Sequence, residues 1–478
     1  MKAPGIASAQ RGAVLLLLLL LVGTLALTLL VRALNRISPD EIKRRKSAEA
    51  LQQARSALLA WSIARGDDAS SSSAGSPGEL PCPDTSPPGS ASEGLEAASC
   101  AAGALGRLPW RTLGIARLVD GYGEPLWYAV DGGFKRRTSS EIRLVNSDTR
   151  ASLQVYAGGG IQLQTPAGEE AAAVIFAPGP ALPAQDRVAG VTAAANYLDA
   201  TGGRNNATAG GPFIAADAAT DFNDQLIVLS GSDLLDAIVP RLAAAVRQAI
   251  SAYRNSANNP DHVPYPRPAL ISDSKCRDND PGIVTTGSSI CRSQSNVCRG
   301  ILPQVDAPPG GSDIVLAYPV WFKQNLWYRA VYFAVASDGA ATGNGNGNGN
   351  GNGKPSHCTD GHGNDINTPG CNGKPVYSDC GTITVTGLSD NPDALVIFPG
   401  SPRGSIVRIA TPQSKNLLVS TSLGDYLEDS ANQDGWSNST PAADVYQLPG
   451  IWQTRWRCSQ RGAANNDRLC TLALGDPP

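Results

Sequence analysis

The densest group of side chains with metal-binding chemistry lies in the second half of the chain. His357, Cys358, His362, Cys371 and Cys380 fall within 24 residues. Zinc takes such imidazole and thiolate ligands, but structural zinc sites bring their cysteines in pairs two to four residues apart. The segment contains no such pair, so its spacing favours disulfides in a long loop over a zinc site.

Oxygen ligands for calcium are the second kind of site that the residue types suggest. Two short runs of acidic and amide side chains would supply them: Asp360, Asn364 and Asp365, and Asp120, Glu124 and Asp131. Neither run has the spacing of an EF-hand loop. We therefore expect no cofactor, with calcium left as the open alternative and zinc disfavoured.

Residues for covalent or acid–base catalysis form no recognisable arrangement. The chain has three histidines, and none accompanies a Gly-x-Ser-x-Gly nucleophile turn. No glycine-rich phosphate loop precedes a helix in the sequence. Ser230 and Ser232 stand where the cap of a helix is expected. The sequence therefore predicts a protein that is not an enzyme.

The chain has ten cysteines, most of them in segments rich in glycine, proline and serine. Such cysteines indicate disulfides and an oxidising compartment. Cys82 and Cys100 bracket one loop, and a bond between them would add roughly 3 kcal/mol in the loop-entropy model. Cys458 and Cys470 are a second predicted pair. The pairing of the remaining cysteines stays open: Cys276, Cys291, Cys298, Cys358, Cys371 and Cys380.

The first structural element is an uncharged apolar run over residues 13–31. Roughly 20 such residues are enough for a helix to cross a bilayer, and no small-residue cleavage site of a signal peptide follows. We therefore predict a retained transmembrane helix. Basic residues are more numerous after the run than before it, which by the positive-inside rule would leave the rest of the chain in the cytoplasm. The cysteines favour the periplasmic side, and this conflict stays open.

An amphipathic helix is predicted directly after the apolar run. Pro39 suits the first turn of a helix, and the carboxylates of Asp40 and Glu41 suit the positive end of its dipole. Apolar residues then recur every three or four positions, at Leu51, Ala54, Leu58 and Trp61. This spacing predicts one helix that packs its apolar face on a globular body.

This order of elements resembles that of type IV pilins and type II secretion pseudopilins. In that family a short basic leader ends in glycine, prepilin peptidase cuts after it, and the apolar helix then assembles with other subunits. The resemblance implies a leader over residues 1–12, cleavage between Gly12 and Ala13, and an assembly helix over 13–31. The packing residues of that helix would include Leu15, Leu17, Leu20, Gly23 and Leu27.

Two positions depart from the family pattern. Ala13 replaces the usual phenylalanine, and Leu17 replaces the usual glutamate. In the family, that glutamate meets the amino terminus of a neighbouring subunit, and subunits without it are those assigned to the tip. Further along the chain, the motifs over residues 80–84, 106–114 and 120–128 resemble those of a group of large prepilin-like proteins of proteobacteria.

An internal duplication is predicted for the rest of the chain. Six short segments recur in the same order: residues 57–61 and 246–253, 80–83 and 263–266, 107–110 and 301–304, 127–130 and 332–335, 173–179 and 395–400, and 196–199 and 425–428. One match is near chance, whereas six in the same order are not. Each copy reads as a helix followed by antiparallel strands.

The predicted fold is α+β, with the transmembrane helix, the amphipathic helix and two duplicated pilin-like modules that carry long disulfide-bearing loops. The modules cover residues 32–230 and 231–450, with a Gly–Asn spacer over 343–353 and a tail over 451–478. The net charge of −3 provides no basic field for nucleic acid.

The function that these features predict is a minor pilin or pseudopilin, a structural subunit of the tip type. Its partners would be other such subunits, prepilin peptidase and the bacterial inner membrane, with the bulk of the chain in the periplasm. The alternative is an unprocessed, membrane-anchored periplasmic protein that serves in binding or adhesion.

Overall fold

The computed structural model describes most of the chain in separate ranges. They are residues 9–34, 38–66, 75–137, 145–163, 170–188, 192–260, 263–277, 290–308, 310–336, 380–386, 392–402, 404, 406, 408, 422–427, 432–433, 443–446 and 468–472. Within the N-terminal helix, side chains are described over residues 14–28.

The fold is α+β, with groups of helices followed by groups of strands along the chain. The helices are α1 (Ala9–Leu34), α2 (Pro39–Ala64), α3 (Gly231–Arg254), α4 (Ser274–Arg277), α5 (Val320–Gln324) and α6 (Trp327–Ala330). The strands are β1 (Leu105–Arg107), β2 (Trp127–Val130), β3 (Val155–Ala157), β4 (Ala171–Ala177), β5 (Ala200–Thr201), β6 (Arg204–Asn205), β7 (Phe213–Ala215), β8 (Gln225–Ser230), β9 (Arg299–Ile301), β10 (Val305–Asp306), β11 (Ile314–Val315), β12 (Tyr332–Val335), β13 (Thr382–Val385), β14 (Ala394–Phe398), β15 (Ala443–Tyr446) and β16 (Arg468–Leu472).

Two four-stranded antiparallel sheets form the centre of the fold. The first has the order β1-β2-β4-β8, and the second has the order β9-β12-β14-β16. Within the described ranges, four two-stranded sheets accompany them: β3-β7 and β13-β15 are parallel, whereas β5-β6 and β10-β11 are antiparallel. Each large sheet therefore has the same chain order, with one long helix, α2 or α3, before its first strand.

Polar side chains fix the starts of helices α2 and α3. Ser38 caps α2 by accepting a hydrogen bond from the Glu41 amide at 3.1 Å, and Pro39 occupies the first turn. Ser230 and Asp233 form a reciprocal capping box at the start of α3, with distances of 3.1 and 3.0 Å. The cap predicted at Ser230 is therefore confirmed, and it satisfies amide groups that the helix itself leaves unpaired.

The first large sheet separates two layers of buried side chains. Leu51 and Leu58 of α2 pack with Tyr128 and Ile175 on one face. Trp127 and Phe176 point to the opposite face because successive strand residues alternate, and there they join the β3-β7 pair, with the Phe176 and Phe213 rings 5.1 Å apart.

The second large sheet is layered in the same way. Phe333 and Val396 pack beneath α3, whereas Tyr332 and Ile397 lie on the other face. Helix α3 also reaches the first module, because Leu234 belongs to the core under the first sheet and Leu235 to the core under the second. The two cores therefore share one helix.

Strand register corrects one detail of the sequence comparison. Tyr128 pairs with Ile175 in the first sheet, and Phe333 pairs with Val396 in the second. Aligning identical residues of segments 173–179 and 395–400 pairs Ile175 with Ile397 instead. A one-residue shift turns every side chain to the other face of a sheet, so Val396 is the structural counterpart of Ile175.

The prediction of a transmembrane helix over residues 13–31 is wrong by the structural criterion. Among the described residues, none of the helices is both long enough and apolar enough to cross a bilayer. The predicted single-pass location in the inner membrane, with the bulk of the chain in the periplasm, is corrected with it.

The prediction that the chain contains disulfides is confirmed. The bonds join Cys82 to Cys100, Cys276 to Cys291, and Cys298 to Cys380. Cys470 is also disulfide-bonded, and Cys458, its predicted partner, lies outside the described residues, as do Cys358 and Cys371. Because Cys380 is bonded to Cys298, it is not a zinc ligand.

Candidate functional site

The largest exposed apolar surface of the described chain lies on helix α1. Its large apolar side chains retain between 53% exposure, at Val22, and 66%, at Leu15. By contrast, Leu51 and Leu58 on α2 are 3% and 0% exposed. Single exposed leucines are ordinary, but a contiguous apolar patch marks a surface that another molecule covers.

A shallow groove of about 320 Å³ runs along one face of α1 at Gly23. Its lining residues are Leu16, Leu19, Leu20, Gly23, Thr24 and Leu27. A Cβ atom added at Gly23 would meet nothing within 4 Å, so the missing side chain itself creates the depression. Small residues of this kind let a second helix approach closely.

The polar side chains of this helix segment are satisfied within it. Thr24 donates its hydroxyl hydrogen to the Leu21 carbonyl at 3.0 Å, and Thr28 donates to the Leu25 carbonyl at 2.8 Å. Burying a polar group costs free energy unless it is hydrogen-bonded. A partner helix can therefore cover this surface without supplying a polar group to it.

The predicted assembly residues fall in two places on this helix. Leu20, Gly23 and Leu27 line the groove, whereas Leu15 and Leu17 are exposed outside it. The groove also includes Leu16, Leu19 and Thr24, which the resemblance did not select but which a helical projection of the sequence would have placed beside Gly23. Gly12 and Ala13 belong to α1, before the part of the helix whose side chains the structure describes.

The acidic residues considered for calcium serve as separate turn-forming groups. Asp120 accepts hydrogen bonds from the amides of Tyr122, Glu124 and Gly179 at 2.8 to 2.9 Å. Glu124 instead forms an ion pair with Arg187 at 3.2 Å. These bonds hold the turn before β2 against the end of β4.

Asp131 is likewise committed to backbone and hydroxyl donors. It accepts from the Gly133 amide at 2.6 Å and from the amide and hydroxyl of Ser152 at 2.8 and 2.6 Å. Across the described ranges, three or more metal-ligating side chains nowhere converge. The other metal candidates lie outside these ranges: His357, Cys358, Asp360, His362, Asn364, Asp365 and Cys371.

A buried carboxyl group that sequence reasoning did not select lies near the end of the first module. Asp224 is 3% exposed and accepts hydrogen bonds from the Asp199 amide at 2.8 Å and from the Asn206 side chain at 2.9 Å. Burial, and then the charge of Asp199, raise the pKa of Asp224 well above its ordinary value. A carboxyl group of this kind is suited to holding a proton in the folded chain.

Comparison with known proteins identifies no relative of this chain. No family model, curated protein or solved structure matches the chain. The resemblance to pilins therefore rests on the order of the elements and on the motifs described above.

Proposed function

We propose that this chain is a structural subunit of the minor pilin or pseudopilin kind, which joins other subunits through helix α1. The observation that carries the proposal is the exposed apolar surface of α1, with its groove at Gly23 and its internally satisfied threonines. The α+β body, whose α2 packs on an antiparallel sheet, supports the same assignment.

The magnitude of apolar burial indicates how many partners the helix needs. Full burial of one leucine contributes about 1.5–3 kcal/mol, so the four leucines of the groove would contribute roughly 6–12 kcal/mol. Association costs about 4–15 kcal/mol in lost translational and rotational freedom. One helix in the groove would therefore bind weakly, and stable assembly requires several helices around α1, as in a fibre.

Two positions refine the proposed role. Cleavage after Gly12 would place Ala13 at the amino terminus of the assembled subunit. Leu17 is 65% exposed and carries no charge for the amino terminus of a neighbour. By the resemblance, a subunit without that carboxylate belongs at the end of the assembly, where it caps or initiates the fibre.

Sequencing the amino terminus tests the processing step. The full chain is expressed with and without a prepilin peptidase, and the variant Gly12→Leu serves as the uncut control. The proposal predicts a chain that begins at Ala13 only when the peptidase is present and Gly12 is intact. A chain that still begins at Met1 in the presence of an active peptidase would contradict the proposal.

A further inference from the structure

An arginine side chain faces both sulfur atoms of one disulfide bond. Nη1 of Arg267 donates to Sγ of Cys380 at 3.6 Å and to Sγ of Cys298 at 3.9 Å, and these two cysteines are bonded to each other. Arg299 adds a second guanidinium group, which donates to the Cys298 carbonyl at 3.1 Å. Because a guanidinium group stays protonated in proteins, this disulfide lies in a permanently positive environment.

The acidic side chain near Arg267 has neutral hydrogen-bond donors of its own. Asp306 is 3% exposed, and it interacts with Arg267 through the backbone amide and through its charge. One of its oxygens accepts a hydrogen bond from the Tyr253 hydroxyl and the other from the Ser293 hydroxyl. The carboxyl group is thus held by these hydroxyls, while Nη1 of Arg267 is directed at the sulfur atoms.

The other two disulfides that the structure describes in full have different polar contacts. At Cys82–Cys100, the Cys82 amide donates to the carboxylate of Glu96 at 3.2 Å. At the bond that includes Cys291, the amide of that residue donates to the side-chain oxygen of Gln304 at 3.0 Å. A carboxylate disfavours a second negative charge nearby, and an amide oxygen supplies no positive charge. These contacts distinguish both bonds from the one beside Arg267.

A positive charge beside a disulfide favours its cleavage by a thiol. Exchange begins when a thiolate attacks one sulfur atom and expels the other as a new thiolate. A neighbouring arginine lowers the pKa of such a thiol. The expelled group then leaves faster, and the reduced form of the pair is stabilised.

We propose that the Cys298–Cys380 bond is a site of thiol–disulfide exchange for a dithiol, and that Arg267 stabilises the thiolate formed there. Of the three bonds described in full, this one is the most readily reduced at equilibrium. The site lies in the second module and is independent of the assembly role of α1.

Reduction proceeds through two exchanges. A thiolate of the dithiol attacks Sγ of Cys380, which is 5% exposed against 0% for Cys298, and the electron pair of the broken S–S bond leaves on Cys298 beside Arg267. The second sulfur of the reagent then attacks the first within the mixed disulfide and expels Cys380 as a thiolate. The dithiol closes its own disulfide, its two electrons reduce the cysteines, and its two thiol protons pass through solvent to them. Because both cysteines are largely buried, the reaction is best measured at equilibrium.

The bond fastens a strand that covers the outer face of the second large sheet. Cys380 lies two residues before β13, and Ile383 and Val385 of that strand are buried against Tyr332 and Ile397. The disulfide ties the start of β13 to the residue before β9. Its reduction leaves β13 held by this packing and by its pairing with β15, so exchange at the sulfur atoms loosens the cover of the sheet.

An equilibrium titration of the full chain tests the proposal. The chain is incubated at pH 8 with mixtures of reduced and oxidised dithiothreitol, the thiols are trapped by acid and alkylation, and mass spectrometry gives the reduced fraction of each cysteine. In the native chain, Cys298–Cys380 should reach half reduction at a lower ratio of reduced to oxidised reagent than Cys82–Cys100 and Cys276–Cys291.

Variants of the arginine separate its charge from its packing. Arg267→Met should raise the ratio needed at Cys298–Cys380 about threefold to tenfold, as expected when a thiol pKa near 7 returns to about 8.5. Arg267→Lys keeps the charge and should restore most of the difference. The matched control is Arg136→Met, at the ion pair with Glu96 in the first module, which should leave that ratio unchanged. A variant that only loosened the fold would be reduced more easily, which is the opposite direction.

Hydrogen exchange tests the fastening role. A chain reduced only at Cys298–Cys380 should exchange the amides of β13 faster, with exchange in β4 unchanged, and unchanged exchange in β13 would overturn this role. The exchange site itself is overturned if Arg267→Met leaves the ratio unchanged or lowers it, or if another of the three bonds is reduced before Cys298–Cys380 in the native chain. If Arg267→Met does not fold, the order of reduction in the native chain decides.

Discussion

Helix α3 gives the sharpest mutational test of how the two modules are built. Leu234 and Leu235 are neighbours in the chain, yet Leu234 lies in the core under the first sheet and Leu235 in the core under the second. They are 0% and 4% exposed. Truncating a buried leucine to alanine costs about 2–5 kcal/mol, so Leu234→Ala and Leu235→Ala should lower the free energy of unfolding by similar amounts.

The two variants should differ in the strand whose amide hydrogens exchange faster. Urea denaturation gives the loss of stability, and hydrogen exchange compares peptides from β4 and β14. We expect Leu234→Ala to speed exchange mainly in β4 and Leu235→Ala mainly in β14. The control Leu95→Ala, at a side chain that is 39% exposed, should change stability by no more than about 0.5 kcal/mol. Equal exchange in both strands for both variants would refute the assignment of these leucines to separate cores.

Three further predictions concern charge, a sheet edge and the α1 groove. Because the folded pKa of Asp224 is raised by burial and then by Asp199, the native free energy of unfolding should fall as pH rises from about 3.8 through that pKa. Asp224→Asn should remove this part of the pH dependence of the free energy of unfolding, so the variant should gain stability relative to the native chain at neutral pH. Urea denaturation at several pH values that shows an unchanged pH dependence would contradict this prediction. Arg55 donates to the Val228 carbonyl on edge strand β8 at 3.3 Å, so Arg55→Ala should cost about 1 kcal/mol and increase self-association. Sedimentation that shows no new oligomer would reject that protective role. Gly23→Leu fills open space, so it should leave the circular dichroism unchanged and reduce cross-linking between subunits, whereas undiminished cross-linking would exclude the groove as a contact.

Local signals in the sequence account for much of the secondary structure. Ser230 was recognisable as a cap because a hydroxyl there satisfies amides of the first helical turn. The aromatic and β-branched residues of 127–130 and 332–335 predicted strands that lie inside the two large sheets. Among the matched segments of the duplication, 57–61 and 246–253 fall on α2 and α3, and 173–177 and 395–398 fall on β4 and β14.

Other features of the fold depend on contacts between residues far apart in the chain, which the spacing of residues in the sequence does not reveal. The bond between Cys298 and Cys380 spans a sequence separation of 82, and several cysteines were equally eligible as partners. Arg408 donates to the Ser147 carbonyl at 2.9 Å across the boundary between the modules, so no local pattern marks this contact. The apolar run over 13–31 predicted a membrane span, which none of the described helices provides.

The central claim is that helix α1 joins the chain to other subunits. Cross-linking from α1 tests this claim most directly. A photo-reactive amino acid replaces Leu20 in the groove or, as the control, Leu95 on the body, in cells that assemble type II secretion pseudopili or type IV pili. The account predicts covalent adducts with other pilin-like subunits from position 20 and none from position 95. Adducts that are absent at position 20, or equally abundant at both positions, would contradict it.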